Sequence, residues 1–113
     1  MSHNILIPFL CDLHEPDRDY EFHILSVWRD ERTGHLYYAE DSGCSCPTPF
    51  EDYRFDPARP QDTNLSRLSK HDFDEFSRNV KKFPASYSDR QHFLDEVSKH
   101  LVDPFDIMKD MVK

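Results

Sequence analysis

From Asp41 to Glu51 the chain reads Asp-Ser-Gly-Cys-Ser-Cys-Pro-Thr-Pro-Phe-Glu, with two thiols one residue apart. As thiolates, Cys44 and Cys46 can chelate a soft metal such as zinc when two further ligands come from elsewhere. Cys11 and His14, in a C-x-x-H arrangement, are the candidates, making a Cys3His set of Cys11, His14, Cys44 and Cys46. That pattern is asymmetric and far less specific than a repeated C-x-x-C. Redox chemistry is the second use of the pair. Glu40, Asp41, Glu51 and Asp52 bracket it, and nearby negative charge raises a thiol pKa, which keeps the reactive thiolate scarce. A C-x-C disulfide also closes a tight, strained ring.

The structural reading of the same segment is favoured. Gly43 permits a sharp backbone turn, the small Cys and Ser side chains pack beneath it, and Pro47 and Pro49 stiffen the exit so that Phe50 enters the core. A rigid acidic loop is also what a recognition surface needs, because prior ordering lowers the entropy lost on binding. The candidate binding residues are therefore Asp41, Cys44, Cys46, Pro47, Pro49, Phe50 and Glu51. No cofactor is expected on this reading; zinc belongs to the alternative.

Nothing else in the chain carries a catalytic signature. The histidines are scattered at 3, 14, 23, 35, 71, 92 and 100, and H-E-x-x-H, G-x-S-x-G and P-loop motifs are absent. His92 and His100 are about two helical turns apart, too far to hold one metal together. Acid pairs such as Asp41 with Glu51 carry little weight in a chain with 22 carboxylates. An enzyme is the less favoured class.

The formal net charge is −8, so the attraction that dominates DNA and RNA binding is missing on average. Residues 1–60 hold 12 acids and 5 Lys or Arg, residues 61–113 hold 10 and 9. The acidic half can steer a basic partner or, at the extreme, imitate nucleic-acid charge. No apolar run approaches the roughly 18 residues of a membrane span, and Ile5 to Leu10 is too short, with no basic leader, for a secretory signal. Three cysteines, an odd number, fit reduced thiols inside a cell better than a disulfide framework.

These residues need elements to position them. At 113 residues the chain is expected to be a single domain, β-rich over 1–60 and helical over 66–113. Nine Phe, five Tyr and one Trp supply a small core with large side chains. Residues 1–11 read as an edge strand interrupted at Pro8, and Asp12 to Asp19 as an exposed loop. Tyr20 to Arg29 alternates with period two, Asp30 to Gly34 forms a turn, and His35 to Ala39 resumes extended structure, predicting an antiparallel hairpin. Residues 42–64 carry four prolines and predict ordered loop, with a short strand near Tyr53 to Phe55 and with Phe50, Tyr53 and Phe55 as anchors. Ser69 to Asp72 looks like a capping box that opens a helix over about 70–82, stopped by Pro84. Ser88 to Gln91 repeats that logic for a helix to about 102, and Asp103-Pro104 opens a third, whose apolar excess suits sheet covering or a dimer contact. The fold class is α+β: an N-terminal antiparallel hairpin or small sheet packed against two to three C-terminal α-helices.

With the aromatic-rich strand Tyr20 to Trp28 and the Tyr37-Tyr38 pair before it, the Asp41 to Glu51 motif resembles that of a family of small uncharacterised proteins encoded by bacteriophages of actinobacteria. The similarity covers roughly residues 18–70. It implies an origin and a place of action, the cytoplasm of a bacterial host, and no particular activity. The reading that follows is a small phage-encoded accessory protein, a non-enzymatic interaction module for a host or phage protein with a basic surface. It acts as monomer or homodimer, with no direct contact to nucleic acid or membrane; the alternative is a zinc-stabilised or thiol-active protein.

Overall fold

The computed structural model describes residues 4–16, 21–44 and 50–101. Its centre is a four-stranded antiparallel sheet, β1 (Phe9–His14), β2 (Glu21–Arg29), β3 (Leu36–Cys44) and β4 (Ser66–Leu68), in the order β1-β2-β3-β4. A 3-10 turn (Lys70–Asp72) then leads into α1 (Phe73–Lys81) and α2 (Tyr87–His100). Strands precede helices, and the α+β class expected from the sequence is the one observed. Among the described residues no helix is long and apolar enough to cross a membrane.

Alternation on β2 dictates the layering. Side chains on a strand point alternately to opposite faces, yet Ile24, Leu25, Ser26, Val27 and Trp28 are all buried, so both faces must be covered. Leu25 and Val27 join Leu13, Leu36, Leu68, Phe76, Val80, Phe83, Phe93, Leu94 and Val97 in a core between sheet and helices. Ile24 and Trp28 face the other way, with Tyr37 and Ala39, against Ile7, Phe50, Phe55 and Leu65. That second cover is a long loop and the N-terminal arm. Phe55 is fully buried, and its backbone exchanges hydrogen bonds with the arm, Leu6 N to Phe55 O and Phe55 N to Asn4 O, each 2.9 Å.

The β2–β3 hairpin turns where expected. Asp30 caps it by accepting the Arg32 N–H at 3.0 Å, and Gly34 adopts φ +78°, a left-handed conformation that glycine reaches without steric cost. Gly34 then donates to the Asp30 carbonyl at 2.7 Å. At the helix starts, the Ser69 hydroxyl accepts from Asp72 N at 3.3 Å, as the capping-box reading requires. The second cap is Ser86 rather than Ser88, accepting from Asp89 N at 3.1 Å.

Four expectations are corrected. β1 begins at Phe9 and runs through the stretch read as loop: Cys11 and Leu13 alternate with Asp12 and His14, a period that the local density of charge hid. A bulge between Phe9 and Cys11 lets Leu10 and Cys11 both approach the helical core. β3 does not end near Ala39 but continues to Cys44, so Ser42 and Gly43 pair with His23 and Phe22 and Gly43 makes no sharp turn. β4 was not anticipated, since three residues are too few to show a period. The expected strand near Tyr53 to Phe55 reduces to one isolated bridge, Phe55 to Ile5. The third helix, from Asp103, lies outside the described residues.

Because Phe55 fills a sheet face from within a loop, its truncation should cost as much as a core residue of a regular element. Phe55→Ala is expected to lose about 3–5 kcal/mol of unfolding free energy, comparable with Phe76→Ala, in urea denaturation. A loss near that of an exposed loop residue would show that the loop is only draped over the sheet.

Candidate functional site

β1 pairs with residues 24–28 of β2, and β4 reaches only Leu36–Tyr38 of β3. Among the described residues the hairpin therefore outruns both neighbouring strands, with only Glu15 N reaching the His23 carbonyl at 2.9 Å, and its end, Glu21 to His23 opposite Ser42 to Cys44, carries the segment singled out by sequence. Asp41 is the residue that organises this end. Its Oδ2 accepts the Phe50 N–H at 2.8 Å and its Oδ1 accepts Ser42 N at 3.0 Å, so one carboxylate closes the excursion from β3 to Phe50. Charge-assisted bonds of this kind are about twice as strong as neutral ones.

Phe50 has φ +64°, a region that costs a side-chain-bearing residue free energy. Its burial offsets that cost: the ring meets Trp28 edge-on at 4.9 Å and Tyr53 at 5.3 Å. Tyr53 hydroxyl donates to the Glu40 carbonyl at 3.1 Å, and burial, followed by the charges of Asp41 and Glu40, holds this phenol neutral by raising its pKa. Glu51 and Asp52 are exposed. The structure thus brings Asp41 and Phe50 into one clamp, with Glu51 beside it; Cys44 sits opposite Glu21 at the last position of β3. Cys46, Pro47 and Pro49 lie outside the described residues.

Cys11 and His14 do not come together. Cys11 pairs with Val27 on the helical face and His14 with Ile24 on the other, because residues three apart on a strand point to opposite faces. Cys11 packs against the helical core, and burial, then Glu96 and Asp12, push its thiol up to about 12. His14 bonds Asp12 at 2.8 Å. The C-x-x-H pair proposed for a Cys3His set therefore has no shared geometry. Among the described residues no group of three His, Cys, Asp or Glu side chains is arranged to hold a metal ion.

One constellation escaped the sequence reading. His23, on the helical face of β2, has Nε2 at 2.5 Å from Glu40 Oε2 and Nδ1 at 3.4 Å from Glu15 Oε2, and its ring lies 4.5 Å from that of Phe83. His23, Glu40 and Phe83, with Tyr38, Asn79 and Lys82, line a cleft of about 320 Å3 between the sheet and the end of α1. Both ring nitrogens of His23 face carboxylates. Its chemistry is that of a tie between β1, β3 and the helical layer. Period-two alternation could have placed His23 beside Leu25, but pairing it with Glu40 needs the strand register.

Two outcomes test this geometry. Asp41→Ala leaves the Phe50 N–H without its acceptor and is expected to cost about 1–3 kcal/mol and to speed hydrogen exchange at Phe50, with Asp41→Asn intermediate; unchanged exchange would remove the clamp. For Cys11, the unfolded thiol titrates near 9 and the folded one near 12, so its contribution to stability is complete below pH 9 and is lost as pH rises through the folded value. In a Cys44→Ser/Cys46→Ser background, alkylation of Cys11 at pH 8 should be far slower than that of a free cysteine, and Cys11→Ala should flatten the fall in stability above pH 9. Rapid alkylation of the folded protein would contradict the burial.

No curated protein and no solved structure matches the chain. A family model described as a domain of unknown function, DUF7574, matches residues 10–106, from the second residue of β1 through the whole sheet and both described helices, and the chain belongs to that family.

Proposed function

We propose that this is a non-enzymatic accessory protein that works by binding another protein, through the end of the β2–β3 hairpin away from its turn and the segment 50–53 clamped beside it. The carrying observation is the Asp41–Phe50 clamp. A carboxylate bond of 2.8 Å and a buried aromatic ring fix this surface to the core before any partner arrives, and a pre-ordered surface loses less entropy on binding. Glu51 and Asp52 are exposed beside it, and Glu21 and Glu40 are exposed on the helical side of the same strand ends, so the complementary partner is basic. The same charge disfavours nucleic acid as a direct partner. Among the described residues, exposed acids also occupy Asp72, Asp74 and Glu75 on the helical layer, a scatter that favours a local recognition patch over a continuous imitation of nucleic acid.

The resemblance of the Asp41 to Glu51 motif to actinobacteriophage proteins extends the proposal. The chain is phage-encoded, works in the host cytoplasm, and takes a host or phage protein as its target, as monomer or homodimer.

Crosslinking in host lysate with mass spectrometry tests the surface. Wild type is expected to capture a partner that the charge-reversed Glu51→Lys/Asp52→Lys variant loses, with crosslinks mapping to the hairpin end. Unchanged capture by the variant would sink the surface, and the absence of any specific partner would sink the class.

A further inference from the structure

At the other end of the same sheet face lies a second cleft, and its chemistry is opposite in sign. It is about 400 Å3 in volume and runs between the hairpin turn, the adjoining ends of β3 and β4, and the loop from Pro57 to Leu65. Strand register builds one wall: Tyr37 pairs with Arg67, and His35, two residues before Tyr37, shares their side of the sheet. Arg32 and Thr33 come from the turn, Gln61 from the loop. The floor is apolar, with Leu65 and the ring of Tyr37 both buried.

The charge balance of this cleft departs from that of the protein. Its one carboxylate, Asp30, is 3% exposed and is committed to the turn, accepting Arg32 N at 3.0 Å with Arg32 Nε at 3.9 Å. Arg32 also donates to the Pro57 carbonyl, across the cleft. Arg67 is exposed and has no carboxylate within ion-pair distance among the described residues. It donates instead to His35 Nε2 at 3.0 Å. That bond makes Nε2 the acceptor, which assigns the ring proton to Nδ1, and it cancels none of the guanidinium charge. In a chain with 22 acids and 14 Lys and Arg, an arginine that points into a cleft and meets a neutral imidazole is placed for a charge that comes from outside.

We propose that this cleft binds a small organic oxyanion, a carboxylate or a phosphate monoester, with Arg67 and Arg32 taking the anionic group, Thr33 and Gln61 offering further donors, and the apolar body of the ligand lying over Tyr37 and Leu65. Arginine suits the task because its planar fork matches the oxygens of either group. The volume fits a small molecule rather than a lone ion. This site is separate from the hairpin end proposed above to bind protein, at the opposite end of the sheet.

A consequence follows for His35. Burial, then the charge of Arg67, lower its pKa, with Asp30 opposing. The groups around it are Arg67 from β4, Asp30 and Arg32 from the turn, and Tyr37 from its own strand, whose phenol burial keeps neutral. The Arg67 bond requires an unprotonated Nε2, so the imidazole holds the guanidinium in place without charge of its own, and the anionic group is left to the arginines.

The test is an NMR titration of the His35 ring and the Arg67 side chain in the full chain, at constant ionic strength, with benzoate, phenyl phosphate, inorganic phosphate, acetate and chloride. Benzoate or phenyl phosphate should give saturable shifts at millimolar concentration, and which of the two binds more tightly identifies the oxyanion. Both should exceed their small counterparts, acetate and inorganic phosphate, because of the apolar floor. Arg67→Gln should weaken binding by about tenfold or more, whereas Arg59→Gln, on the same loop but outside the cleft, should not. Weak, non-saturating shifts that are equal for all five anions, or equal losses in the two arginine variants, would overturn the site. Arg67 is exposed on an edge strand, and matching thermal unfolding of variant and wild type separates lost binding from lost folding.

Discussion

The rest of the structure depends on the requirement that β2 and β3 be covered on both faces. From Ile24 to Trp28 every side chain is buried, and a sheet that is apolar on both sides cannot leave one in water without exposing hundreds of Å2 of hydrocarbon. Two described helices suffice for the Leu25 and Val27 face. The Ile24 and Trp28 face receives a loop and an arm, and the loop must therefore behave as a structural layer. Phe50, Phe55 and Leu65 are its buried points of attachment.

A loop held against a sheet has to satisfy its own backbone, because buried amides without partners are costly. Side chains do this here in place of a strand ladder. Asn64 accepts from Arg54 N at 2.9 Å and donates to the Asp52 carbonyl at 3.0 Å; Thr63 donates to Arg54 O at 2.5 Å and accepts from Leu65 N at 3.0 Å; Asp56 accepts from Ala58 N at 2.9 Å. Asp41 performs the same service at the entrance to the layer. The edge of β3 beyond Tyr38, which β4 does not cover, is met in part by Tyr53, whose hydroxyl takes the Glu40 carbonyl. The aromatic residues and the short polar ones are thus two halves of one solution: rings fill the face, and amide and hydroxyl groups close the backbone around them.

The same arrangement gives the loop face two unlike ends. At the end of the hairpin away from its turn Glu51 and Asp52 are exposed beside the clamp, with Glu21 and Glu40 exposed on the helical side of the same strands, whereas around the hairpin turn Arg32 and Arg67 face a cleft whose only lining acid is buried in the turn. Net charge alone, −8 over the chain, conceals that polarity.

Local patterns were legible in the residues themselves. Alternation over Tyr20 to Arg29, glycine at the turn, and Ser69 with Asp72 at a helix start each act through neighbours a few positions away, so their physics is complete within a short window. The anchoring rings Phe50, Tyr53 and Phe55 could be named because a loop of that length between prolines needs them. Register, by contrast, is set by the pairing of distant segments. Nothing local says that Gly43 continues a strand opposite Phe22, that Cys11 and His14 diverge, that His23 meets both Glu15 and Glu40, or that Arg67 comes to rest beside His35. By itself the sequence determined the β2–β3 hairpin with its turn, the two described helices and the rings that anchor the loop. Only the tertiary structure decided which charges and rings share a face, because that depends on where the chain returns, and the return is chosen by burial of the whole sheet rather than by any one of its strands.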